Sequence, residues 1–145
     1  MTLTADATET IAPVVEFLDA MQRGDRETAI GYIADDIAYI NVGMPTIRGR
    51  RAVDKALGVL WNQRLRFGYV MNHVAADGDV VLTDRVDWLE LGRFRAQFWV
   101  YGRFVIKDGQ IAVWRDSFDY VDFTVGMVRG LLGVLIPAVN RRAPA

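Results

Sequence analysis

The sequence predicts an α+β domain with its helices first and a curved sheet after, and three observations lead to that fold class. Apolar residues recur at helical spacing in the first part of the chain, and from Phe67 onward they switch to two-residue alternation and apolar runs. Tight-turn dipeptides punctuate the second part. No internal repeat or linker divides the 145 residues, which read as one domain over 1–145, with an N-terminal tail at 1–9 and an apolar C-terminal helix at 123–139.

The elements follow in order. Ile11, Val14, Val15, Leu18 and Met21 keep the three-four spacing of a first helix, which runs to about Gln22 and stops at Arg23-Gly24-Asp25. Asp25 caps a short second helix carrying Ala29, Ile30 and Ile33, and Asp35 and Asp36 mark a solvated turn into a strand from Ile37 to Val42. A loop from Gly43 to Gly49 leads to a third helix over about Arg51 to Asn62, with Val53, Leu57, Leu60 and Trp61 on one face. Four strands complete the sheet, at Phe67 to Ala76, Val80 to Leu91, Arg93 to Ile106 and Ile111 to Val121. Asp77-Gly78, Gly92 and Lys107-Asp108-Gly109 separate them as hairpin turns, so they form a consecutive antiparallel meander. A sheet that curls around helices leaves a pocket open at one end.

The bulk properties exclude several chemistries. A chain of this size buries about two-thirds of its unfolded surface, and 52% hydrophobic with 24% charged residues is ordinary globular composition. With a net charge of −1, and only the short clusters Arg48, Arg50, Arg51 and Arg141, Arg142, there is no phosphate-tracking stripe for nucleic acid. The absence of cysteine rules out thiol nucleophiles and thiolate metal sites, and the single histidine, His73, rules out His-rich zinc sites. His73 reads as a structural residue of the second strand of the sheet or as a pocket group. Any chemistry runs mainly on carboxylates, and neither a metal nor an organic cofactor is expected, since no glycine-rich phosphate loop follows a strand. The start MTLTADATETIAP lacks the basic and apolar regions of a signal peptide, which makes the cytoplasm the expected location. Phe123 to Val139 is apolar but too short and interrupted to span a membrane stably. It is either a lid or partner-facing helix, or a lipid-facing one.

Alternation in strands decides which side chains share a face. Thr83, Arg85, Asp87 and Leu89 share one, and Arg85 with Asp87 reads either as a surface salt bridge or as a buried functional pair. Trp114, Asp116, Phe118 and Tyr120 share another, leaving Asp116 either at the sheet's rim or in a pocket where desolvation raises its proton affinity. Tyr39 and Asn41 share a third, as structural residues or as a hydroxyl and an amide that together hold one water. Met44, Met71, Met127, Trp61, Phe98 and Trp99 read as core or pocket wall.

In this order, Tyr39-x-Asn41, Arg48-Gly49, Thr83-Asp84-Arg85-Val86-Asp87 and Trp114-Arg115-Asp116-x-Phe118-Asp119 resemble the limonene-epoxide hydrolase family of the nuclear-transport-factor-2-like (NTF2-like, SnoaL-like) superfamily, over about Thr10 to Pro137. The resemblance implies an NTF2-like cone, a curved mixed or antiparallel sheet wrapped around N-terminal helices with a deep pocket. It also implies a homodimer and a cofactor-independent reaction of water with a small apolar epoxide, giving a vicinal diol in one acid/base step. The position matching Asp116, with those matching Tyr39 and Asn41, holds and deprotonates the water. That matching Asp87 protonates the epoxide oxygen, and that matching Arg85 bridges the carboxylates; Trp114, Phe118 and Leu89 would line the substrate pocket. Ser117 departs from the tyrosine common after the second aspartate, and the apolar tail resembles the mycobacterial branch of the family.

Physical chemistry supports the division of labour, because two close carboxylates in a dry pocket cannot both ionise cheaply. Arg85 works against it, favouring the charged form of Asp87 unless desolvation and Asp116 outweigh that pull. Two other readings stand beside this one: a ketosteroid-isomerase-like or polyketide-cyclase-like enzyme on the same fold, and a non-catalytic small-molecule-binding module. Burial of Arg85, Asp87 and Asp116 together separates the last from the enzymes.

Overall fold

A computed structural model describes residues 4–140 of the chain. Arg141 and Arg142 lie outside these residues, as do the first three positions of the expected N-terminal tail. Helix α1 (Ala5–Arg23) begins inside that tail, because Thr4 caps it, its hydroxyl accepting from the Ala7 N–H at 3.2 Å. Its apolar face buries Ile11, Val14, Phe17, Leu18 and Met21. As expected, Asp25 caps α2 (Arg26–Gly31), accepting from the Thr28 N–H at 3.2 Å.

Strand β1 (Ile33–Asn41) starts earlier than the acidic pair suggested. Asp35 and Asp36 are exposed positions within it and form no turn, and Asp35 pairs with Arg50 at 2.6 Å. The loop after β1 holds a two-residue strand, β2 (Ile47–Arg48), and the third helix is split into α3 (Arg50–Ala56) and α4 (Gly58–Trp61) at Leu57-Gly58.

The meander forms as predicted, from β3 (Arg66–Asp77), β4 (Val80–Leu91), β5 (Phe94–Lys107) and β6 (Gln110–Ser117). At its last hairpin, Asp108 and Gly109 both take left-handed conformations (φ 51° and 73°), as a two-residue type I′ turn requires. The sheet order is β2-β1-β6-β5-β4-β3, with β1 parallel to β6 and every other pair antiparallel. The sheet is mixed, curved and unclosed.

The fourth meander strand does not reach Val121. It ends at Ser117, because Asp119 caps a helix, its Oδ1 accepting from the N–H groups of Val121 and Asp122 at 2.7 and 3.1 Å. Tyr120 therefore opens helix α5 (Tyr120–Leu135), and its hydroxyl donates to the Val42 carbonyl. A 3-10 turn (Pro137–Val139) follows, so the expected 123–139 helix starts three residues earlier and ends four residues earlier. Helix α5 takes over where β6 stops. Tyr101 to Lys107 of β5 pair with β6, whereas the Trp99 N–H donates to Asp122 at 2.9 Å, and Gly126 and Gly130 lie against the carbonyls of Gln97 and Arg95. No helix among the described residues is long and apolar enough to cross a membrane.

Candidate active site

Alternation in β4 sends Thr83, Arg85 and Asp87 to the helix-covered face, where they are 3%, 1% and 5% exposed, and turns Leu82 out to solvent. Asp116 of β6 is 6% exposed, with Trp114 beside it at 3%. Parallel pairing brings in the first strand, as Tyr39 lies opposite Trp114 and Asn41 opposite Asp116. The Tyr39 ring stacks on the Trp114 indole with centroids 4.0 Å apart.

Arg85 is the hub of the buried charges. Its Nε donates to Asp87 Oδ1 at 2.8 Å, its Nη2 to Asp116 Oδ2 at 2.7 Å and its Nη1 to Thr83 Oγ1 at 3.1 Å. Asp116 Oδ1 is buried and has no hydrogen-bond partner among the described residues. Isolated charges this deep are strongly unfavourable, and one guanidinium with two carboxylates carries an excess negative charge unless one carboxyl keeps its proton.

Burial favours the protonated form of Asp87. Burial pushes its pKa up to about 6, and the Asp116 charge adds to the rise while Arg85 pulls the other way through its charge and hydrogen bond. In the conflict seen in the sequence, burial outweighs the pull of Arg85 on Asp87. Burial disfavours the Arg85 cation, but Asp116 and Asp87 outweigh it and hold its pKa above the usual value. Burial, then the Asp116 charge, push the Tyr39 phenol to about 12, so it stays a neutral donor.

These groups face a cavity of about 330 Å³. Tyr39, Asn41, Arg85, Asp87 and Asp116 supply its polar part, and the expected wall residues Trp114, Phe118 and Leu89 all line it. Phe118 does so from the link between β6 and α5, beyond the strand, packing on Phe98 and Phe123 with centroids 6.0 and 5.3 Å away. Every residue proposed from sequence for the site is brought to one place. Arg85, Asp87 and Asp116 are buried and converge, unlike the rim placement expected of a plain binding module.

The limonene-1,2-epoxide hydrolase catalytic-domain family model matches residues 8–129. This chain belongs to that family. Epoxide hydrolase EphG of Mycobacterium tuberculosis (strain ATCC 25618 / H37Rv) is 40% identical over 127 residues, 88% of this chain and 85% of the relative. Among solved structures, an M. tuberculosis LEH-like epoxide hydrolase aligns with a TM-score of 0.87 at 38% identity, covering 97% of this chain and 100% of that one. A putative polyketide cyclase from Xanthomonas campestris pv. campestris, 18% identical with a TM-score of 0.72 over 85% of this chain and 99% of that one, shares the fold alone.

Other residues of this limonene-epoxide hydrolase family member divide between the surface, the core and the pocket wall. His73 lies at a bulge of β3 with its side chain 86% exposed, its Nδ1 3.1 Å from Asp84 Oδ2, on a carboxylate that also accepts from the Trp99 indole at 3.0 Å. Met44 and Phe98 are pocket wall, Met71 packs on the core, and Trp99 is exposed. Phe123 lines the pocket from α5, in keeping with the lid that was one expectation for this helix, but sequence reading missed the wall contributed by Leu57 and Leu60. Periodicity marked Leu57 and Leu60 as apolar, yet it does not distinguish a core face from a cavity face. It also missed the part played by Thr83, whose contact with Arg85 joins residues two apart on one strand face.

Proposed function

We propose that this chain is an epoxide hydrolase that adds water to an apolar epoxide in one step, with Asp116 as base, Asp87 as acid and Arg85 as the bridge that orients both. The observation that carries this reading is the Asp87–Arg85–Asp116 set, buried beside an apolar cavity, with one Asp116 oxygen that has no hydrogen-bond partner among the described residues. Asp116 takes a proton from water as the water oxygen bonds to an epoxide carbon. The epoxide C–O bond breaks, and the Asp87 proton goes to the departing oxygen, giving a vicinal diol. Asp116 then holds a proton and Asp87 has lost one, so a proton returns to Asp87 before the next turnover. Tyr39 and Asn41 hold the water, a role supported by the register that sets them beside Trp114 and Asp116. Carboxylates, arginine and water suffice, with no metal or organic cofactor called for.

The wall accounts for the substrate class. Aside from the five polar groups, hydrocarbon and aromatic side chains surround the cavity, which favours an epoxide whose remainder is apolar. A homodimer completes the reading, supported by the exposed face of α5, where Val121, Val125, Val128, Leu131, Leu132 and Leu135 form one apolar stripe. The deciding assay offers terpene, aryl, fatty-acid and sterol epoxides to chelator-treated, dialysed protein. Diol from wild type, and less by about 1000-fold or more from Asp87→Asn, is the expected result; no diol from wild type with any of these epoxides, or rate restored only by an added divalent ion, contradicts the proposal.

A further inference from the structure

Strand β5 runs between β4 and β6, so Arg85 and Asp116 are separated by a whole strand, about 9–10 Å in the hydrogen-bonding direction. The guanidinium has to cross β5 to make its bridge. Thr83, Gly102 and Asp116 stand in one row across the three strands. A Cβ on residue 102 would lie 2.5 Å from Arg85 Nη1 and 2.4 Å from Thr83 Oγ1. The missing side chain of Gly102 is what lets the guanidinium lie there.

Thr83 settles how the guanidinium lies. Arg85 uses three nitrogens on three acceptors: Nε on Asp87, Nη2 on Asp116 and Nη1 on the Thr83 hydroxyl, which is itself buried. Without that hydroxyl Nη1 has no acceptor of its own and is free to share the carboxylate already bound through Nη2. A fork of Nη1 and Nη2 on Asp116 is the ordinary bidentate geometry of arginine with a carboxylate. It would occupy Oδ1, the oxygen without a hydrogen-bond partner among the described residues.

We propose that Thr83 and Gly102 are positioning residues for the reaction: Gly102 seats the Arg85 guanidinium across β5, and Thr83 engages its Nη1, which keeps Asp116 Oδ1 free to take the proton of water. The inference rests on the proposed hydrolase function. The test compares Thr83→Val, which keeps the shape and loses the acceptor, with Thr83→Ser, which keeps the acceptor. Thr83→Val should lower kcat by about 10- to 100-fold with KM for the epoxide little changed, the size expected for a misaligned catalytic group. Thr83→Ser should recover most of that loss, and Gly102→Ala should lower kcat in the same direction. Thr83→Val with wild-type kcat, or Thr83→Ser as impaired as Thr83→Val, overturns the proposal. A nitrogen-15 spectrum of the arginine side chains tests the same contact without turnover. The Arg85 Nη signals should shift in Thr83→Val and stay in place in Thr83→Ser; unchanged signals in Thr83→Val overturn the proposal as well. Wild type and Asp87→Asn run alongside, so absence of diol from wild type counts against the hydrolase reading, while the spectrum still decides the positioning.

Discussion

Replacing Asp87 by Asn keeps the shape of the side chain and removes its proton chemistry, and the same holds for Asp116. Asp87→Asn, Asp116→Asn and Arg85→Ala should each lower kcat/KM by about 1000-fold or more, and a double variant should be hardly worse than either single one, because acid, base and bridge act as a unit. Tyr39→Phe and Asn41→Ala should cost about 10-fold each, since the other holder and Asp116 still grip the water. Steady-state rates on one good epoxide decide this; full activity in any of the first three contradicts the assigned roles. The raised pKa of Asp87, about 6 against an ordinary 3.8, gives a second prediction. The acid is needed protonated, so kcat/KM should fall tenfold per pH unit above about 6, and the limb should vanish from the residual rate of Asp87→Asn. The folded state also binds this proton more tightly than the unfolded chain. Its stabilising effect is therefore full below the unfolded pKa of about 4 and is lost as pH rises to about 6, a change of about 2–3 kcal/mol seen as a falling urea midpoint.

At the scale of elements, the bounds of β4 were legible in the sequence and alternation put Arg85 and Asp87 on one face, but which face is buried was left open until the helices were seen to cover it. The junction of β6 and α5 was not legible. Alternation continues through Trp114, Asp116, Phe118 and Tyr120, so period alone carried the strand past Ser117. The Asp119 cap overrides it, ending the strand and starting a helix that covers the open edge of β5. Close approach there depends on Gly126 and Gly130, where a Cβ would sit 2.5 and 2.6 Å from the carbonyl oxygens of Gln97 and Arg95. Backbone cannot step aside as a flexible side chain can. Gly126→Leu should lift α5, cost about 1–3 kcal/mol and move Phe123 out of the pocket wall. The expected readings are a Tm lower by several degrees and a raised KM for bulky epoxides; an unchanged Tm would show that the helix does not rest on that edge.

Across the whole molecule, the class of fold was readable from one sequence because it depends on short-range patterns, whereas Tyr39, Asn41, Arg85, Asp87 and Asp116 were joined into one set by the family resemblance, since pattern alone left each open as a surface or structural residue. Helical spacing, alternation and turn dipeptides are local, and the carboxylate motifs lie on two strands whose faces alternation fixes. The parallel contact of β1 with β6, the seat at Gly102 and the pocket wall from α3 and α4 are long-range, and nothing local encodes them. Oligomeric state belongs to this scale too. The apolar stripe of α5 should be covered in a homodimer, so sedimentation should give twice the chain mass of 16.3 kDa. Val128→Asp with Leu132→Asp should shift it toward monomer, while a wild-type protein that sediments as an active monomer contradicts the dimer.

The central claim, that Asp116 activates water and does not itself attack carbon, is tested most directly by one turnover in water enriched in oxygen-18, with enzyme in excess over epoxide. The account predicts one labelled oxygen in the diol and none in the protein. Label in the Asp116 or Asp87 carboxyl, with unlabelled diol from the first turnover, would reveal an ester intermediate and contradict direct addition of water.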